Sequence, residues 1–160
     1  MIPLKSKFLF ILLVLISFPL KVSSEYLLIG SNNFDNLLVL GAITEKQKKR
    51  GLMHIKELTN FNGMIFIYKQ PKVIKIWMHN TYLPLDIIFV DKYKKVLAIK
   101  EGIPHSKKII SSDYPVVAVI EIPKNCSKKI GLNIGDKLEW KELRIKDGEF
   151  DLKKKYNFSC

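Results

Sequence analysis

The sequence predicts an α+β domain, mainly antiparallel β, with a small barrel-like sheet and one helix packed on it near the N-terminus. A chain of 160 residues, 48% of them hydrophobic, is long enough for one core but too short for two ordinary domains. A helix-start signal stands at Thr44. From Met64 onward, short apolar runs alternate with turn residues, which is typical of strands.

The first predicted elements are a strand at residues 37–43 and a helix directly after it. Thr44 and Gln47 have the spacing of a capping box, in which both side chains satisfy free backbone donors at a helix start. The helix is expected to run to about Leu58. Gly51 inside it costs about 1 kcal/mol relative to alanine, which indicates that another backbone packs closely there.

Short strands fill the rest of the predicted domain. A hairpin-like connection is expected at residues 91–94, an irregular stretch at 101–113 and a short helix at 127–131. The predicted strands cover residues 64–68, 73–78, 85–91, 95–100 and 116–122, followed by a last strand that reaches Trp140.

The N-terminus has the layout of a secretory signal peptide, with a basic start, an apolar run at residues 8–18 and the small residues Val22 and Ser24 before the expected cut. The run is shorter than the roughly 20 apolar residues of a membrane-spanning helix, so cleavage is favoured over an uncleaved anchor. We therefore expect an exported protein, periplasmic or extracellular. The predicted organisation is a signal peptide at 1–24, a lead-in at 25–36, a single compact domain at 37–140 and a mixed-charge tail at 141–160.

The net charge of +12 raises the question of an anionic partner. Only Arg50 and Arg144 among the basic residues are arginine, the residue that nucleic-acid recognition favours, and export also separates the protein from nucleic acid. We therefore exclude nucleic acid and expect a solvated basic surface, with weak contact to an anionic membrane or cell wall as an alternative. The expected state is a monomer.

The two cysteines, Cys126 and Cys160, are candidates for a disulfide that would tie the C-terminal tail to the domain. Neither lies in a Cys-x-x-Cys motif, so nothing indicates a catalytic thiol. The sequence leaves open whether the two are bridged.

Several sequence blocks together resemble the uncharacterised domain of unknown function 192 family over roughly residues 37–140. The most specific are Trp77-Met78-His79-Asn80-Thr81 and the run Pro-Leu-Asp-Ile-Ile-Phe-Val-Asp at 84–91. The resemblance implies a compact, barrel-like domain with a helix, often exported, and no established activity. This chain differs from the usual family pattern at His79, where lysine is common, and at His54, Ile55 and Asn125.

Asp86 and Glu121 are the candidate catalytic residues, because each lies within an apolar strand, where an unpaired carboxylate is costly. Two carboxylates on neighbouring strands would form a general acid–base pair. The alternative, which we favour, is that each is held by hydrogen bonds or by Arg50.

The candidate metal ligands are His54, His79 and His105, with three methionines as a soft extension toward copper. No metal-binding spacing joins the histidines, and methionine at such positions is usually core, so no metal site is assigned. The methionines are Met53, Met64 and Met78.

We favour a non-enzymatic module that binds a small ligand or an exported protein at the rim of the predicted barrel. The candidate ligand-binding residues are Arg50, Trp77, His79, Asn80 and Asp86. A hydrolase using Asp86 and Glu121 is the runner-up, and metal binding through histidine and methionine is the third hypothesis. The cofactor, if there is one, is unknown from the sequence.

Overall fold

The computed structural model of the protein describes residues 26–32, 34 and 37–143. The predicted signal peptide, Cys160 and most of the predicted tail lie outside these residues. The described elements, in chain order, are β1 (Tyr26–Gly30), β2 (Leu37–Ala42), α1 (Glu45–Arg50), β3 (Gly63–Lys72), β4 (Lys75–Ile76), β5 (Leu85–Val90), β6 (Val96–Gly102), β7 (Ile110–Ser111), β8 (Val116–Pro123), α2 (Cys126–Lys129) and β9 (Glu139–Leu143).

Seven strands form one sheet in the order β6-β5-β8-β3-β2-β1-β9, while β4 and β7 pair separately. β2 and β3 run parallel, and the other neighbours in the large sheet run antiparallel. The α+β class with an antiparallel-rich sheet is thereby confirmed. The expected barrel is wrong, because β6 and β9 remain at opposite edges of the sheet and no ladder joins them within the described residues.

The central strands are buried on both faces of the sheet, which is why β5 and β8 are almost continuously apolar. On one face, Ile65, Ile88 and Ile120 form a core with residues around α2. On the other face, Phe66 and Phe89 pack with side chains from the loops after α1 and β4. We call these the α2 face and the α1 face.

The helix α1 begins where the sequence predicts and ends much earlier. Thr44 is the N-cap, and both halves of its capping box with Gln47 are formed. The helix stops at Arg50 because Gly51 adopts φ +50°, a backbone conformation that residues other than glycine rarely adopt. The extension to Leu58 is wrong. Since α1 contains no buried residue, the expected packed helix is not confirmed either.

Three further regions differ from the sequence-based expectations. The lead-in contains β1, which lies between β2 and β9 in the sheet, so the sheet extends beyond the predicted 37–140 domain at both ends. The strand expected at 73–78 is reduced to β4, and β7 forms within a segment expected to be irregular. Among the described residues, no helix is long and apolar enough to cross a membrane.

Candidate functional site

Asp86 lies at the start of β5 on the α2 face, where it caps the turn into α2. Its carboxylate accepts hydrogen bonds from the Asn125 N–H at 3.1 Å and the Ser127 N–H at 3.0 Å. It also accepts one from the Ser127 hydroxyl at 2.5 Å. These three donors satisfy a side chain that is only 8% exposed. Asp86 therefore serves as a structural cap in this fold.

Glu121 lies on β8, next to β5, but its side chain is on the opposite face of the sheet. In the β5–β8 ladder, Glu121 is paired with Ile87, whereas Asp86 is paired with Ile122. Paired residues share a face and adjacent residues alternate, so the two carboxyls point away from each other. The structure does not bring them together as an acid–base pair.

The Glu121 carboxyl is buried without a partner. The residue is 6% exposed, and within the described ranges no hydrogen-bond donor or cation lies within bonding distance of it. Burial raises the pKa of Glu121 to about 8, since the charged form loses its hydration and gains nothing in exchange. At neutral pH this side chain is therefore mostly a neutral carboxylic acid.

A cleft of about 670 Å³ lies over Glu121 on the α1 face. It runs between α1 with the following turn and the segment that joins β3 to β4. Gly51 lies directly beside the acid, because a β-carbon placed there would be 3.9 Å from the Glu121 Oε2. The apolar part of the lining is made by Leu52, Met53, Phe66, Val73, Ile74, Ile76 and Trp77.

The other charged residues of the cleft are nearly all cations. One carboxylate, that of Glu45, pairs with Lys48 across 3.3 Å. The ammonium groups of Lys48 and Lys72 lie 4.8 and 4.7 Å from the centre of the Tyr68 ring. Burial and the charges of Glu121 and Glu45 raise the pKa of Tyr68 to about 12. The cationic residues of the lining are Lys48, Lys49, Arg50, Lys72 and Lys75.

Two of the five predicted ligand residues, Arg50 and Trp77, line this cleft. Trp77 is 48% exposed, and its ring stacks on that of His79 at 5.0 Å and 29°. Asn80 adopts φ +56°, and its carbonyl oxygen accepts a hydrogen bond from the His54 N–H at 2.9 Å. The backbone of Asn80 therefore helps to hold two turns together. Asp86, the last of the five predicted residues, lies on the other face of the sheet.

The three histidines do not form a metal centre in the described part of the chain, where no three His, Cys, Asp or Glu side chains are grouped for a metal ion. His79 stacks on Trp77, and His105 packs edge-on against Tyr82 at 4.8 Å. Cys126 is buried at the start of α2, and the disulfide with Cys160 stays a prediction because Cys160 lies outside the described residues.

Sequence reasoning missed the residues that give the cleft its charge and its depth, above all Tyr68, Lys48 and Lys72. Alternation along β3 places Met64, Phe66 and Tyr68 on one face. That Glu121 shares this face follows from the register Met64–Glu121, which the sequence alone does not provide. The alternation within β3 was therefore visible in the sequence, whereas the pairing of β3 with β8 was not.

Comparison with known proteins places this fold in a family. No curated protein matches the chain. A solved structure of a candidate transcription regulator from Sinorhizobium meliloti 1021 is similar, with 31% identity, a TM-score of 0.67 and coverage of 74% of this chain and 94% of that one. A protein of unknown function from Novosphingobium aromaticivorans DSM 12444 has 30% identity and a TM-score of 0.66, over 77% of this chain and 90% of that one.

The family model that matches describes an uncharacterised family and covers residues 30–140, most of the described sheet. This match includes the sequence blocks at 77–81 and 84–91. The chain belongs to the domain of unknown function 192 family, described as an uncharacterized ACR.

Proposed function

We propose that this protein is an exported, non-enzymatic binding module that takes a small organic anion into the cleft over Glu121. The observation that carries the proposal is the Glu121 carboxyl, which is buried at the cleft without a partner. Burying a polar group without a hydrogen bond costs on the order of 1–3 kcal/mol in proteins. A ligand that supplies the missing partner recovers this free energy.

The charge of the lining indicates the sign of the ligand. Five cationic side chains surround the cleft, and Glu45 is the one exposed carboxylate among its lining residues. A cleft lined by one sign of charge attracts the opposite sign and raises its local concentration. The apolar side chains of the lining fit a ligand with a hydrocarbon or aromatic body.

Binding is favoured over catalysis because, within the described residues, no histidine lines the cleft and its other carboxylate, Glu45, is paired with Lys48. General acid–base chemistry on a bound substrate requires groups within hydrogen-bond reach of the reacting atoms and usually of each other. Asp86, the other half of the hydrolase hypothesis, lies on the opposite face and is occupied by its three donors.

The remaining expectations belong to the same proposal. The signal-like N-terminus supports export, and the scattered lysines support weak contact with an anionic membrane or cell wall. A single small ligand in one cleft requires no partner subunit, so we propose that the protein works as a monomer and does not bind nucleic acid.

Isothermal titration with octanoate, a carboxylate with an apolar chain, tests the proposed function. At pH 7 and low salt we expect one octanoate site and no binding of octylammonium, which has a similar chain and the opposite charge. Lys72→Gln should weaken octanoate binding about fivefold, because one ammonium beside the Tyr68 ring is lost.

Lys92→Gln provides the matched control, since Lys92 is an exposed lysine on the turn between β5 and β6, and its removal changes the net charge equally. This variant should bind octanoate like the wild type. Absence of octanoate binding at millimolar concentration would overturn the proposed function. Equal weakening in the two variants would show that octanoate responds only to the overall charge.

A further inference from the structure

We infer that Glu121 acts in the cleft as a carboxylic acid that donates a hydrogen bond, so that the bound anion carries a second, uncharged oxygen acceptor at a distance from its charged group. This inference rests on the proposed function and deepens it by naming the ligand class. That class is an organic acid with an additional uncharged oxygen, such as an ester, keto or ether acid. A simple fatty acid or an amino acid does not belong to it.

The two ends of the cleft differ in chemistry, which is why the ligand needs two polar groups. Lys48 and Lys72 gather at the Tyr68 ring, on the part of β3 farther along the strand from Met64. Glu121 is paired with Met64 and lies beside Gly51. An anionic group placed at the lysines therefore leaves Glu121 to meet another part of the same molecule.

The protonation state of Glu121 determines which second polar group the ligand must carry. Burial keeps the carboxyl protonated at neutral pH, because its pKa is raised to about 8. A protonated carboxyl has an O–H to donate, and an uncharged carbonyl or ether oxygen accepts it. A ligand ammonium would instead require the ionised carboxylate and would lie in a cleft whose other charges are mostly positive.

The groups around Glu121 come from β5, β3, α1 and the β3–β4 segment. β5 presents the apolar Ile87 and β3 the phenol of Tyr68, whose pKa of about 12 keeps it neutral over the range used below. The charged side chains at the cleft belong to α1 and to the β3–β4 segment, and they are Glu45, Lys48, Lys49, Arg50, Lys72 and Lys75.

Three ligands with matched chains separate the alternatives. Octanoate has no second polar group, monomethyl suberate adds an ester that only accepts hydrogen bonds, and 8-aminooctanoate adds an ammonium. Titrations are made at pH 6.5 and pH 9, and each affinity is divided by that of octanoate. This ratio cancels the response of the lysines at the other end, since all three ligands carry the same carboxylate.

At pH 6.5 we expect monomethyl suberate to bind about fivefold more tightly than octanoate, the effect of one good hydrogen bond. The gain should fall below about twofold at pH 9, where most of Glu121 is ionised. Glu121→Gln, whose amide also donates, should keep a gain that no longer depends on pH. In Glu121→Leu, the affinity for monomethyl suberate divided by that for octanoate should be about one at both pH values.

Each other outcome overturns the inference in a recognisable way. A ratio of one for monomethyl suberate in the wild type at pH 6.5 would show that Glu121 makes no contact with the ligand, while octanoate binding still supports the proposed function. An advantage for 8-aminooctanoate that grows toward pH 9 would show that Glu121 acts as a carboxylate. Failure of octanoate itself would overturn the proposed function and this inference together.

Discussion

Asp86 and Glu121 lie one register position apart on the paired strands β5 and β8 and are almost equally buried, yet they differ completely in their surroundings. On the α2 face, Asp86 has three hydrogen-bond donors. On the α1 face, Glu121 has none among the described residues. The difference teaches that burial of a carboxyl does not identify its role, whereas the satisfaction of its hydrogen bonds does.

The local backbone explains this difference. Asn125 adopts φ +67°, and this reversal directs the N–H groups at the start of α2 back onto Asp86. On the other face, the turn at Gly51 brings the chain close to Glu121 but places no backbone N–H on it. The fold thus satisfies one carboxyl with its own donors and leaves the other without a donor among the described residues.

The largest effect is expected for Asp86→Ala. Removing this carboxylate leaves two backbone N–H groups and the Ser127 hydroxyl without their acceptor, so the free energy of unfolding should fall by about 3 kcal/mol. Urea denaturation at pH 7 measures this change. The octanoate affinity should not change, since Asp86 is on the face opposite the cleft.

Asp91→Ala is the comparison variant for this prediction. Asp91 also accepts two backbone N–H bonds, from Tyr93 and Lys95, but at an exposed turn where water replaces the lost acceptor. Its loss should cost about 1 kcal/mol. If both variants lose the same stability, Asp86 is not the buried cap that its geometry indicates.

Both carboxyls could be identified from the sequence, because a charged residue within an apolar strand is conspicuous whatever the fold. Their separation onto two faces could not, since a shift of one residue in register moves a side chain to the other face. The register of β5 against β8 depends on long-range pairing, which no local pattern encodes. The sequence therefore predicted the residues but not the relation between them.

The beginning of α1 was predictable and its end was not, for a similar reason. A capping box involves four consecutive residues, and the hydrogen bonds between Thr44 and Gln47 form as their spacing requires. The end of the helix depends on Gly51, which was expected to be an interior glycine packed against another backbone. Its contact with Phe66 and Glu121 is a tertiary one, and it becomes visible only when the sheet is formed.

The stability difference between the wild type and Glu121→Gln is expected to depend on pH. The folded protein binds the Glu121 proton more tightly than the unfolded chain, whose glutamate titrates near 4.5. The contribution of this group to stability is therefore fully present below about pH 4.5. It declines as the pH rises toward 8, and it changes no further above that pH.

Glutamine has no proton to lose, so Glu121→Gln should match the wild type at pH 5 within about 1 kcal/mol and exceed it by about 2 kcal/mol at pH 9. Urea midpoints at the two pH values measure the change. Glu57→Gln, at an exposed position in the turn after α1, should follow the wild type at both. A Glu121→Gln curve parallel to the wild type would mean that the carboxyl has a partner in solution.

The smallest effect is expected for Thr44→Ala, which tests whether α1 contributes to the burial of Glu121. Loss of the cap removes the hydrogen bond from the Gln47 N–H to the Thr44 hydroxyl and should destabilise α1 by about 1 kcal/mol. Because α1 buries no residue, this loss should appear as faster amide exchange at Lys48 and Arg50, with the amides of β8 unchanged.

A looser α1 would also expose Glu121 to more of the water in the cleft, and hydration favours the ionised carboxylate. Carboxyl carbon NMR should therefore show the pKa of Glu121 moving down from about 8 in Thr44→Ala, while the hydrogen bonds of Asp86 persist. Thr59→Ala, at an exposed position outside α1, should change neither exchange nor titration. If Thr44→Ala speeds exchange in α1 but leaves the pKa of Glu121 unchanged, the sheet and the Gly51 turn are sufficient to bury the acid.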